Sequence, residues 1–166
     1  MDPVILRPAR AGDGAAVFAV THQSISQLGR ERYSDEQLRG WMGQRTPDDY
    51  ERSIAKGAMV VACVEDRIVG FVDAEPGEVT RLFVLEQVAG QQVGSRLLQI
   101  GIEKASVAGV ERIKVESTLN AEPFYQRHGF VSQGRGVFSH GVGGEPIEVV
   151  YMERDVRRGR PGMDSL

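Results

Sequence analysis

From Glu78 to Glu116 the chain reads as a strand, a glycine-bearing loop, an amphipathic helix and a second strand, RIKVES. Strands joined through a helix lie parallel, because the crossover returns the chain to the same end of the sheet. The residues before this unit impose the opposite pairing. AMVVACVE from Ala58 and IVGFVDAE from Ile68 are β-rich runs separated by Asp66-Arg67, which predicts a tight hairpin without the usual glycine. Pro76-Gly77 then turns the chain into a third strand, Glu78 to Leu85. An antiparallel meander running into a parallel crossover predicts a mixed α/β sheet rather than a doubly wound parallel one.

The flanking segments complete the outline. Val4 to Arg7 predicts a short strand closed by Pro8, and Asp13 an N-cap for a helix to about Leu28 with Val17, Val20, Ile25 and Leu28 inward. Ser34 caps a second helix, with Glu36 and Gln37 placed for a capping box, and Thr46-Pro47 opens a third toward Ala55. The helix after the loop spans about Gln91 to Ala108 and carries Val93, Leu97, Leu98, Ile100 and Ile102, with Gly109 ending it. Asn120 caps the helix AEPFYQRHG, Gly129-Phe130 leads into a strand ending near Phe138, GVGG turns, and Glu145 to Glu153 forms the last strand. The expected fold is one domain over residues 1–156, α/β (α+β), with a mostly antiparallel sheet of about seven strands flanked by helices. The polar, glycine-bearing tail 157–166 is predicted to be flexible.

Several function classes fall away on composition. A net charge of −3 lacks the basic excess of a nucleic-acid binder. No apolar run approaches the ~20 residues of a membrane span. The N-terminus lacks the layout of a signal peptide, so a cytoplasmic location is the expectation. Cys63 is the sole cysteine, and His22, His128 and His140 show no ligand spacing, so no metal is expected.

The loop between strand and helix, VAGQQVGS, sets backbone N–H groups at a helix N-terminus, where the dipole favours a phosphate. It is neither of the common nucleotide loops. Gly90 and Gly94 lack the G-x-G-x-x-G spacing of a dinucleotide fold, and no lysine follows Gly94 as in a Walker loop. A pyrophosphate held by main-chain donors alone remains. The plainer alternative is that Gly90 permits a turn and Gly94 lets the helix approach the sheet.

Three blocks together resemble the GNAT N-acetyltransferases, which move an acetyl group from acetyl-coenzyme A to an amine. RLFV with VAGQQVGSRLL is similar to the family's strand, R/Q-x-x-G-x-G/A loop and helix; STLNAEPFYQRHGF to its tyrosine helix and G-F turn; and VVACVEDRIVGFVD to its preceding hairpin. YSDEQLRGWM is similar to an uncharacterised bacterial branch, and the likeness covers about Val4 to Arg154. The resemblance implies that Ala89, Gly90, Gln91, Gln92, Val93, Gly94 and Ser95 cradle the pyrophosphate of acetyl-CoA. It also implies that main chain at Leu82, Phe83 or Val84 bonds the acetyl carbonyl, and that Asn120 and Phe124 lie along the pantetheine, Thr118 being the rival of Asn120. The loop departs from the pattern at two places: Ala89 stands where arginine or glutamine is usual, and Gln92 where the first glycine is usual. Losing a charge-assisted bond, roughly twice as strong as a neutral one, weakens the cradle. Glutamine at 92 is costly if that residue needs φ > 0.

The resemblance also assigns chemistry. Tyr125, in F-Y-x-x-x-G-F, is implied as the general acid for the thiol leaving group, and a phenol of pKa about 10 is protonated at neutral pH. The alternative for Tyr125 is an ordinary amphipathic aromatic. Glu78, eleven positions before Ala89, holds the register of a general base in histone-modifying members, on a strand where positions 78, 80, 82 and 84 are expected to share a face. It reads equally as a turn-flanking surface acid, with Asp73 and Glu75 as rival bases or amine-binding acids; the three together would suit a cationic amine or form a solvated hairpin end. His22, Ser26, Tyr33 and Trp41 lie in the segment that walls the acceptor pocket in this family, with Trp41 read as core. Cys63 reads as core too, so direct attack in a ternary complex is expected rather than an acyl-enzyme. The expected partner is a small-molecule or peptide amine, with a homodimer through the last strands allowed. The alternative function is a catalytically weak CoA-binding sensor or complex subunit.

Overall fold

A computed structural model describes residues 3–28, 33–88, 90, 92–139 and 147–157. The elements are β1 (Ile5–Pro8), α1 (Gly14–Leu28), α2 (Asp35–Gly43), α3 (Pro47–Ala55), β2 (Val60–Val64), β3 (Arg67–Glu75), β4 (Glu78–Val84), α4 (Val93–Ala105), β5 (Arg112–Ser117), α5 (Glu122–Arg127), β6 (Val131–Val137) and β7 (Glu148–Asp155). They form one seven-stranded sheet in the order β1-β2-β3-β4-β5-β7-β6. Every pairing is antiparallel except β4 with β5, as the crossover requires. The main core gathers Val61, Phe71 and Val72 of the hairpin, Leu97 and Leu98 of α4, and Ile113 and Met152 of β5 and β7. A second cluster joins Ile25 and Met42 to Ile147 and Val149 on the α1–α2 side.

Local signals place most helix starts. Ser34 Oγ accepts from Gln37 N while Gln37 returns its side chain to Ser34 N, a complete capping box. Asp13 behaves differently from the expected N-cap. Its carboxylate accepts from Arg7 Nη1 at 2.8 Å and from Arg10 N at 2.9 Å, and the amides of Gly12 and Gly14 donate instead to Glu51 of α3. A longer carboxylate arriving from another helix takes over the role sequence assigns to the adjacent residue. Arg7 holds the Asp13 carboxyl below its usual 3.8. Asp13→Asn is therefore expected to lower stability by about 1 kcal/mol near neutral pH. That difference is present above pH 3.8 and disappears as pH falls through the depressed folded-state value, measurable by urea unfolding across pH.

Other boundaries move for identifiable reasons. The β2–β3 turn is Glu65-Asp66, one residue earlier than expected, with φ of 49° and 67°, the left-handed pair a two-residue hairpin needs. Helix α4 stops at Ala105 rather than Ala108. Gly77 N donates to Ala105 O at 2.9 Å and Ser106 Oγ donates to Ile102 O at 2.6 Å, so the last carbonyls are satisfied from outside the helix. Asn120 does not cap α5; it lies in a 3₁₀ turn, Leu119–Ala121, and Ala121 is the N-cap. Close approach of α4 to the sheet occurs at Gly101, where a Cβ would stand 2.7 Å from Val72 Cγ2, not at Gly94, where its nearest neighbour would be 3.5 Å away. The GVGG turn, Glu145 and residues 158–166 of the tail lie outside the described residues, as do the side chains of Leu28 and Trp41.

Candidate active site

The site begins with a failed pairing. β4 and β5 meet in register only at Glu78 and Lys114, with Lys114 N donating to Gly77 O at 3.0 Å. Beyond that point β4 stays with β3 and β5 stays with β7, so the two parallel strands part. Leu85 N donates to Val69 O of β3. By alternation along the strand, the N–H of Phe83 also turns to β3, and those of Leu82 and Val84 face the opening.

A β-bulge decides which side chains line it. Asp73 pairs with Arg81 and Ala74 with Val79, leaving Thr80 as the extra residue of β4. The bulge breaks the expected sharing of one face by positions 78, 80, 82 and 84. Val79 lies toward α4, near Gly101, and Val84 approaches Gly94 of the same helix. Phe83 lies on the other face against Phe71, ring centroids 5.9 Å apart, and the Arg81 guanidinium sits 5.9 Å from the Tyr50 ring.

Two cavities flank the opening. One of about 370 Å³, on the α1 side, is lined by Ser24 and Gln27 of α1, Val79 to Val84, Glu86, Glu116, Thr118, Asn120, Phe138 and Val149. The other, about 450 Å³, lies on the α4 side between Gly90, Gln92 to Ser95, Phe124 and Arg127. Leu82, Val84, Ala121 and Tyr125 line both. Tyr125 thus stands at the junction. It is buried, packed edge-on against Phe124 and Phe130 at 5.2 and 5.6 Å, and burial pushes its phenol well above the ordinary value.

The second cavity has the character of an anion cradle. Gly90 adopts φ 90° and Gln92, the N-cap of α4, φ 60°, a left-handed conformation uncommon for glutamine. The first bond into the helix runs from Arg96 N to Gln92 O, so the amides of Val93, Gly94 and Ser95 have no intrahelical acceptor. Gly94 opens this wall: a Cβ there would touch the Phe124 ring at 3.5 Å and Val84 at 3.8 Å. Ser95 Oγ and His128 Nε2 are hydrogen-bonded at 2.9 Å, tying α4 to the end of α5, and burial lowers the His128 pKa so the ring is neutral at pH 7. Arg127, from α5, supplies a cation to the cavity wall. Ala89 and Gln91 lie outside the described residues.

The remaining sequence candidates are dispersed. Glu78 is 3% exposed at the closed end of the strand pair, 3.6 Å from Lys114 Nζ, and lines neither cavity. Asp73 is buried beside Arg81, and burial raises its carboxyl pKa; Glu75 is exposed at the strand end. Tyr33 OH donates to Glu148 O and accepts from Leu119 N, fastening the chain around the 3₁₀ turn. His22 and Ser26 are exposed, and Cys63 is buried. Thr118 and Asn120 both reach the first cavity, where Asn120 Oδ1 is buried with no hydrogen-bond partner among the described residues. Ser24, Arg81, Glu116 and Phe138 were not singled out by sequence. Arg81, a cation inside the β-run VTRLFV, carried the one visible signal.

Comparison with known proteins agrees with this architecture. A family model described as an acetyltransferase (GNAT) domain matches residues 30–150. The uncharacterised N-acetyltransferase YafP of Escherichia coli K12 is 25% identical over 130 residues, covering 78% of this chain and 83% of that protein. A GCN5-related N-acetyltransferase structure from Rhodopseudomonas palustris superposes with TM-score 0.83 at 25% identity, covering 93% of this chain and 97% of its own. The PaiA N-acetyltransferase of Thermoplasma acidophilum, solved in complex with coenzyme A, shares the fold with TM-score 0.73 at 15% identity, covering 92% of this chain and 99% of its own.

Proposed function

The chain belongs to the GNAT acetyltransferase family, and on that premise we propose that it moves an acetyl group from acetyl-CoA to an amine, with both substrates bound at once. The carrying observation is the pair of cavities on opposite faces of the sheet, joined where β4 and β5 part, with Tyr125 common to both. The α4-side cavity fits coenzyme A: its loop offers amides without intrahelical acceptors, Gly94 leaves room, and Arg127 supplies charge. Bound there, acetyl-CoA supplies an activated thioester carbonyl. The N–H groups of Leu82 and Val84 then hold the carbonyl oxygen as it gains negative charge when the amine nitrogen attacks from the opposite cavity. As the C–S bond breaks, the Tyr125 phenol gives its proton to the sulfur, and the proton shed by the attacking nitrogen passes through solvent to restore the phenol. Cys63 faces neither cavity, in keeping with direct transfer.

Release of free thiol from acetyl-CoA over a panel of amines tests the reading. Amine-dependent release is expected, and calorimetric binding of acetyl-CoA without turnover for any amine would overturn it in favour of a CoA-binding module. Arg127→Ala is expected to weaken acetyl-CoA binding about three- to tenfold at low salt and less at high salt, since the group acts as a partly exposed charge. Acetyl-pantetheine, which lacks the pyrophosphate, should bind both forms alike.

A further inference from the structure

We propose that the acceptor is a small amine bearing a carboxylate, of the amino-acid class, with Arg81 as the group that holds the carboxylate. This rests on the acetyl-transfer reading above and names the substrate of the α1-side cavity. Arg81 lines that cavity, and its side chain is only 14% exposed. A guanidinium this buried ordinarily meets a bidentate carboxylate. Asp73 forms only a long ion pair with it: its Oδ2 stands 3.9 Å from Arg81 Nη1, beyond hydrogen-bond reach, and its Oδ1 accepts from Ala74 N. Ser53 Oγ is 3.5 Å from Nη1, at the limit of a bond, and Nε is buried with no hydrogen-bond partner among the described residues. Burial, and next the neighbouring Arg45, pull the Arg81 pKa below its ordinary value, so a negative charge placed at Arg81 offsets them.

The same cavity has two further features of an unfilled polar site. Ser24 Oγ, on a residue 6% exposed, is buried and has no hydrogen-bond partner among the described residues. Across from β4, Glu116 of β5 presents a carboxylate held by Ser139 N at 3.2 Å and Ser139 Oγ at 2.9 Å, with Glu86 at the same cavity. A cation on one wall and acids on another match a molecule with a carboxylate at one end and an amine at the other. They do not match a polyamine, which would set its charge against Arg81. A volume of about 370 Å³ suits a small molecule rather than a folded chain.

Three matched acceptors test this: an α-amino acid, its carboxamide, and the amine lacking the carboxyl carbon, with a phosphorylated amine and a polyamine as further arms. The wild-type protein is expected to favour the amino acid by at least about tenfold in kcat/KM over the other four. In calorimetry with coenzyme A present, the amino acid should bind tighter than its carboxamide. Arg81→Met is expected to remove at least about tenfold of the amino-acid-to-carboxamide preference through KM, with Arg81→Lys recovering part and acetyl-CoA affinity within about twofold. A neutral amine, phosphorylated amine or polyamine preferred by the wild type would overturn the assignment, and so would a folded Arg81→Met that keeps the preference. Should Arg81→Met not fold, the wild-type panel decides alone. Calorimetric preference for the amino acid without acetylation of any amine would sink the transfer reading, and with it the acceptor role, while keeping Arg81 as the carboxylate-holding group.

Discussion

Tyr125→Phe is expected to lower kcat about 10²- to 10³-fold, the range for losing a positioned general acid. The substitution is unusually clean here. The ring packs edge-on between Phe124 and Phe130, contacts a phenylalanine retains, and the hydroxyl has no hydrogen-bond partner among the described residues. Thermal midpoint and acetyl-CoA affinity should therefore move little while turnover falls. The pH profile adds a signature. Burial raises the phenol above its ordinary 10.0, so the acid form persists through that pH. The wild-type rate should show no loss from Tyr125 ionisation on the alkaline side below about pH 10. An alkaline limb near neutrality that disappears in Tyr125→Phe would contradict the assignment, as would near-normal turnover by the variant.

Gly94→Leu should separate binding from folding as sharply. A Cβ at this position meets the Phe124 ring at 3.5 Å, ordinary contact, so Gly94→Ala should be tolerated or slightly stabilising in a helix. A leucine side chain must continue into the cavity between the loop and Phe124, which Val93 to Ser95, with amides free of intrahelical acceptors, line. Acetyl-CoA affinity is expected to fall at least about 100-fold on calorimetry, with unfolding within about 1 kcal/mol of wild type. Unchanged affinity in the leucine variant would show that the phosphates lie elsewhere. Gly101 is the control. There a Cβ would stand 2.7 Å from Val72 Cγ2, so Gly101→Ala should cost stability and leave the cradle intact.

At the loop, short-range and long-range determinants separate. Gly90, Gly94 and the amphipathic run after them are local signals, and they appear as a left-handed turn and helix α4. The irregular Gln92 is also visible in the sequence, and the structure gives it the left-handed backbone that makes it unusual. Arg127 was not legible. It lies thirty-three residues after Gly94, and only the docking of α5 beside α4 brings it to the same wall.

The sequence by itself determined the order and type of the elements, the mixed pairing of the sheet and the family resemblance, because turn sterics, capping and apolar periodicity act over a few residues. Tertiary structure alone decided what faces the opening. A single extra residue at Thr80 reverses side-chain facing on β4, takes Glu78 off the face expected for it and sets it beside Lys114 at the closed end. The parting of β4 from β5 arises from register across the sheet, which no local pattern encodes. Arg81 likewise reads as one cation in an apolar strand until long-range packing buries it beside Tyr50 and Asp73. Burial is what turns an ordinary surface charge into a group that demands a partner.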